Sequence, residues 1–172
     1  MASRPWPGSS ATPPATMTAC GPPLSQLIPR GRTGILARMP VPLVRADQLY
    51  DGVPYAYASV APPGALVFTA GACPLDENGQ VVGVGDVQLQ ARQAVANLAA
   101  ALTAAGADLS DVLKTTIYVA SADRGDLVAA WDVVRAAFAD HDAPSTLLGV
   151  AVLGYAGQLV EIEAVAVAGR SA

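Results

Sequence analysis

The spacing of apolar residues along the chain changes period several times, and each change predicts an element. In residues 86–106, DVQLQARQAVANLAAALTAAG, the apolar positions Val87, Ala91, Val95, Leu98, Leu102 and Ala105 recur at helical spacing. This predicts an amphipathic helix that Asp86 caps at its start and Gly106 closes at its end. A second stripe, Leu127, Trp131, Val134 and Phe138 within RGDLVAAWDVVRAAFADH, predicts another helix. Between and around them lie short β-branched or alternating runs. YAYASVA (55–61) and ALVFTAGAC (65–73) read as a hairpin about a PPG turn, and DVLKTTIYVA (111–120) reads as a strand after the first helix. Asn78-Gly79 in PLDENGQVVG marks a turn before the short apolar pair Val81 and Val82. Two strands, STLLGVAVL and LVEIEAVAV, joined by GYAG, close the pattern.

Helices interleaved with antiparallel strands predict an α+β sheet with both helices on one face. The closing strands are apolar on both sides for most of their length. The face away from the helices is therefore expected to be covered as well, most simply by other copies of the chain in a closed homo-oligomer.

Composition narrows the classes. Of 172 residues, 52% are hydrophobic and 14% charged, enough for one sizeable core. No stretch reaches the roughly 18 unbroken apolar residues of a membrane helix. The net charge is -4 and the single lysine is Lys114, so no basic stripe invites nucleic acid. Charge is unevenly spread: residues 1–38 hold four arginines and no acid, and the remaining 134 hold 6 bases against 14 acids. Nine of the 14 prolines lie at or before Pro42. Residues 1–40 are therefore expected to be a disordered Pro/Arg-rich tail and residues 41–170 a single domain. The tail has the arginines of a transit peptide, but prolines interrupt any amphipathic helix and no apolar segment marks a secretory signal. Met39 is a candidate true start. Cys20 and Cys73 form no disulfide framework or metal-binding spacing, which makes a reducing cytoplasm the default compartment. His141, at the end of the second helical pattern, reads as a capping or solvent-facing residue rather than a metal ligand, and no metal or cofactor is expected.

Three stretches, YASVAPPGALVFTAGACPLDENGQVVG, QARQAVANLAAALTAAGADLSDVLKTTIYVA and LVEIEAVAV, resemble the Rid family of reactive-intermediate deaminases, also called the YjgF group, from about Val53 to Ala168. The resemblance implies a chorismate-mutase-like (ferredoxin-like) antiparallel sheet, a homotrimer whose sheets form a barrel, and ligand clefts between subunits. In deaminating members an arginine at the start of the penultimate strand holds the carboxylate of a 2-imino acid. A glutamate on the last strand orients the water that attacks the C=N carbon. A planar guanidinium suits a carboxylate, and an imine is already electrophilic enough to need little beyond orientation and proton transfer.

Carried onto this chain, the arginine position falls at Ser145, so the cation is missing there. Glu161 matches the glutamate, Tyr57 the aromatic hydroxyl and Gly71 the backbone donor, although its turn reads Ala70-Gly71-Ala72. Trp131 stands where a helix asparagine is common, with core packing as its plainer reading. Thr146 and Cys73 are polar neighbours, Cys73 also reading as a small core residue. Ser145 and Thr146 can equally satisfy backbone groups at a strand entrance. Tyr57 is equally compatible with an ordinary strand aromatic. Glu161 and Glu163 share one strand face, and Glu163 is read as structural. Arg92, Arg124 and Arg135 fall on helix or loop surfaces and do not replace the missing cation.

Two functions follow. One is hydrolysis of an imine, enamine or related small electrophile without a carboxylate, since an unpaired carboxylate beside Glu161 would be desolvated at a cost. The other is a non-catalytic small-molecule-binding or regulatory trimer.

Overall fold

The computed structural model describes residues 40–50 and 52–168. The tail expected over residues 1–40, with Cys20 and Met39, lies outside them except for Pro40. The elements run β1 (Leu43–Val44), β2 (Ala58–Ser59), β3 (Ala65–Phe68), α1 (Val87–Ala104), β4 (Val112–Val119), α2 (Arg124–Phe138), β5 (Ser145–Gly149) and β6 (Val160–Ala168), with a 3-10 turn at Leu109–Asp111 before β4.

α1 forms where the period predicts it. The Asp86 carboxylate accepts from the Leu89 amide, and Gly106 takes a φ of 77° just past the end. Its buried stripe, including Ala91, Leu98 and Leu102, packs on β6 and on α2, and α2 packs on β4 and β5. Both helices thus cover one face of the sheet, and the core lies between them and the inward residues Val112, Ile117, Val119, Val160, Ile162 and Ala164. The turn at 78–79 also forms: Asp76 Oδ1 accepts from the amides of Asn78 and Gln80, and Gly79 takes a φ of 74°.

Two expectations about the strands are corrected. β2 and β3 do not form a hairpin. β2 pairs with β1 instead, and β3 pairs antiparallel with β6 from Ala65↔Ala168 to Phe68↔Val165. Pro62 and Pro63 in the connection bring no N–H to a ladder, and the donors of the first segment turn to the N-terminal side, Tyr57 to Val44 and Val60 to Pro42, both at 2.9 Å. The sheet is also mixed rather than antiparallel, with order β3-β6-β4-β5 and a parallel β4–β5 pair. Helix α2 carries the chain back across the sheet, so β5 starts at the same end as β4, as a crossover of this length allows.

The face away from the helices is set by register. Thr116 opposes both Glu163 and Thr146, and Tyr118 opposes both Glu161 and Leu148, so these six share one face. An irregularity between Val112 and Lys114 lets Leu113 and Lys114 both turn to that face. At one end it is covered by the N-terminal segment, where Val41 packs with Leu113 and Val167. Elsewhere it is open: Phe68 is 72% and Leu66 52% exposed, with Leu148 at 43%.

Candidate functional site

Glu161 stands at the middle of the first cluster. One of its oxygens, Oε2, accepts a hydrogen bond from Gln158 Nε2 at 2.9 Å and lies 3.6 Å from the Cys73 thiol. The other, Oε1, lies against Gly71, where a side-chain carbon would come within 1.8 Å of it. Only a residue without Cβ leaves that oxygen its place. Among the described residues Oε1 receives no hydrogen bond, so it is the oxygen available to a water or ligand. Cys73 is pushed above the ordinary thiol range, first by burial and then by the negative charge of Glu161. It is therefore a neutral donor beside the carboxylate rather than a nucleophile.

Helix α1 holds this cluster from below through its polar positions. Asn97 Nδ2 donates to the carbonyls of Cys73 and Leu75 at 2.8 and 2.9 Å. The buried Gln90 donates to the carbonyls of Gly83 and Gly157 and accepts from the Leu159 amide at 2.6 Å. The loops before α1 and before β6 are thereby tied to one rigid element. An Ala72↔Ile162 bridge sets Gly71 next to Glu161.

The second cluster lies in a cleft of about 510 Å³ between β2 and the β4–β5 pair, where Tyr57, Ser59, Lys114, Ser145 and Thr146 meet. Lys114 Nζ donates to Thr146 Oγ1 at 2.8 Å and pairs with no carboxylate among the described residues. The Tyr57 hydroxyl donates to the Tyr50 carbonyl. Ser145 donates to the Ala143 carbonyl at 3.0 Å and lies 2.6 Å from Thr115 Oγ1. It opposes Thr115, which is buried toward the helices, so Ser145 turns away from the face of Glu161. Its neighbour Thr146 is on that face, but two strands across and two residues along, about 12 Å away by strand geometry.

The chain therefore brings Gly71, Cys73 and Glu161 together and leaves Tyr57, Ser145 and Thr146 apart from them. Trp131 joins neither group closely. Its ring meets Tyr55 edge-on with centroids 6.1 Å apart, half-buried on the core. His141, read as capping or solvent-facing, is half-buried, stacked on Phe138 and 2.7 Å from the Val112 carbonyl through Nε2. Glu163 accepts from the Tyr118 hydroxyl at 3.0 Å, and this bond leads the causes that raise the phenol above its ordinary value.

Three contributors escape sequence reasoning. Gln158 sits in a loop with no periodic signal. Asn97 looks like an ordinary polar helix position, although an amide amid alanines is a signal in itself. Lys114 is visible as the single lysine, but only the irregularity at Leu113 shows which way it faces. Among the described residues no group of three or more His, Cys, Asp or Glu converges as a metal site requires, and no helix is long and apolar enough to cross a membrane.

Comparison with known proteins adds four findings. The family model described as Endoribonuclease L-PSP matches residues 51–168. Protein DfrA of Myxococcus xanthus is 32% identical over 133 residues, covering 77% of this chain and 99% of that protein. A 2-iminobutanoate/2-iminopropanoate deaminase of Salmonella typhimurium is 36% identical over 80 residues, 46% of this chain and 60% of that protein. Among solved structures, the Rid-family protein YyfB from Yersinia pestis superposes with a TM-score of 0.70 at 30% identity, covering 75% of this chain and 99% of that one. With a family match reaching from before β2 to the end of β6, the chain belongs to the Rid (YjgF) family.

Proposed function

We propose that the protein hydrolyses a small imine, enamine or related electrophile in a cleft completed by further copies of the chain. The observation that carries this reading is the divided carboxylate of Glu161, with Oε2 tied to Gln158 and Oε1 left open beside Gly71. A water held by Oε1 gives up a proton to it as its oxygen bonds to the C=N carbon. That proton passes to nitrogen to give a carbinolamine; the carbinolamine hydroxyl then gives its proton, by way of Glu161, to the same nitrogen as the C–N bond breaks, and a carbonyl compound and ammonia leave. Deaminase-like relatives support the reaction class.

The two clusters support the interfacial cleft. Thr146 lies on edge strand β5, while Gly71 and Glu161 lie toward the opposite edge, near β3. A closed head-to-tail ring would set one edge against the other and bring the groups together, and the exposed Phe68, Leu66 and Leu148 give such a ring an apolar face to cover. A homotrimer is the ring we propose, in a cytoplasmic setting.

The first residue of β5 is Ser145 and not an arginine, which favours substrates without a carboxylate. The family model carries a ribonuclease name, but 6 bases against 14 acids beyond Arg38 weigh against RNA. One observation favours a second reading, a non-catalytic ligand-binding trimer. The Tyr57–Lys114–Thr146 cleft, away from Glu161, holds an ammonium with no acidic partner among the described residues and can bind an anion without chemistry.

The test sets two imine sources side by side, an amine oxidase for imines without a carboxylate and an amino-acid oxidase for 2-imino acids, with semicarbazide trapping the survivors. Faster loss of the first kind, reduced to a small residue in Glu161→Ala, is expected. An assembled oligomer that accelerates neither would move the function to ligand binding.

A further inference from the structure

Gln158 is 4% exposed, and every polar atom of its side chain is engaged. Its Oε1 accepts from the Tyr155 amide at 3.0 Å, which fixes which end of the amide is the donor. Nε2 then gives one N–H to the Val160 carbonyl at 3.2 Å and the other to Glu161 Oε2 at 2.9 Å. Gly154 and Gly157 flank the loop, the latter with a φ of 79°, and the Gly157 carbonyl is anchored to the buried Gln90 of α1. The amide is thus held by backbone on two sides and has no freedom left except to point at the carboxylate.

We propose that Gln158 is the positioning residue of this site. It fixes Glu161 by one oxygen so that the other, Oε1, always faces the water. A glutamate side chain has three rotatable bonds, and on an open sheet face it would sample several directions. Gly71 supplies the space for Oε1, since a side-chain carbon there would come within 1.8 Å of it. Gln158 and Gly71 together select one oxygen of two. Cys73 adds a weak contact to Oε2 at 3.6 Å but lacks the geometry to orient it alone.

This inference rests on the hydrolase reading of Glu161, and its test separates the two. Gln158→Met keeps the buried volume and removes both donors. In the assembled full chain, kcat is expected to fall about 10- to 100-fold with KM within about twofold, as for an approximately 1 Å misplacement. The same substitution in a Glu161→Ala background is expected to change the residual rate little, because a positioning residue has nothing to position there. Equal losses in both backgrounds would show a merely structural role and overturn the proposal.

A second readout needs no activity. A crystal structure of Gln158→Met beside the parent shows where the Glu161 carboxylate stands. In the variant it is expected to leave its place beside Gly71 or to occupy more than one rotamer. A carboxylate unmoved in Gln158→Met would show that Glu161 keeps its place unaided, and the proposal fails whether or not the protein hydrolyses imines. An inactive wild type with a displaced carboxylate in Gln158→Met would instead overturn the hydrolase reading and leave the positioning standing.

Discussion

Gly71→Ala puts one methyl group where the structure leaves no room. The new Cβ would lie 1.8 Å from Glu161 Oε1, 2.6 Å from its Cδ and 2.8 Å from its Cγ. Ordinary contact begins near 3.4 Å, so the carboxylate has to retreat by 3.4 − 1.8, about 1.6 Å. The obstacle is the end of a flexible side chain and not backbone, so the fold yields locally. The loss of one hydrogen bond to Gln158 costs about 1 kcal/mol of stability. Catalysis is less forgiving, because a displacement of about 1 Å in a positioned group lowers rates about 100-fold, or about 2.7 kcal/mol in the barrier. The expected variant therefore melts close to the parent yet shows kcat reduced by two orders of magnitude, with KM little changed. Circular dichroism melting measures the first, and imine loss under semicarbazide competition measures the second. A Gly71→Ala protein with the parent's kcat would refute the reasoning, since Glu161 would then work from a position the methyl group forbids.

The remaining predictions concern the thiol and the open face. Cys73 sits above its ordinary value of 9.0 because of burial and Glu161, so its alkylation near neutral pH should lag behind that of a free thiol, and Glu161→Gln should quicken it. The sign for stability follows: as pH rises past 9.0 the unfolded chain releases this proton before the folded one does, so stability falls through that window. Denaturant midpoints against pH should lose that slope in Cys73→Ala, and an unchanged slope would assign it to another group. Phe68→Glu places a charge on the most exposed aromatic of the helix-free face and is expected to yield monomers in sedimentation velocity. A parent that already sediments as a monomer would remove the ring from the proposal.

Much of the fold was legible because it is local. Asp86, the stripe from Val87 to Leu102 and Gly106 define α1 within a single window, and Val112–Val119 lies inside the strand read at 111–120. Pairing was not legible, because it depends on distant partners. Nothing within residues 55–73 says that β2 belongs to β1 and β3 to a strand almost a hundred residues on. The site shows the same limit at finer scale. Ser145 and Thr146 are adjacent in the sequence, and a strand sends neighbours to opposite faces, so a one-residue difference decides which one looks toward Glu161. Nothing in the residues around position 145 tells that the Ser145 side chain turns to Thr115. Lys114, read only as the single lysine of an acidic chain, lies one residue from the buried Thr115 and faces the open cleft.

The placement of β6 carries a consequence for how the protein is made. It lies inside the sheet, between β3 and β4, yet it is the last strand of the described chain. During synthesis β3 and β4 must wait, each with an unmet row of backbone donors and acceptors, until residues 160–168 leave the ribosome. The nascent chain can build α1 early, but it cannot close its sheet by degrees. Assembly of the sheet is therefore a late event of high sequence separation, slow for its size, and the waiting strands are natural clients for a chaperone. Glu161 reaches its glycine only in that final step, so a chain that has not finished folding has no site at all.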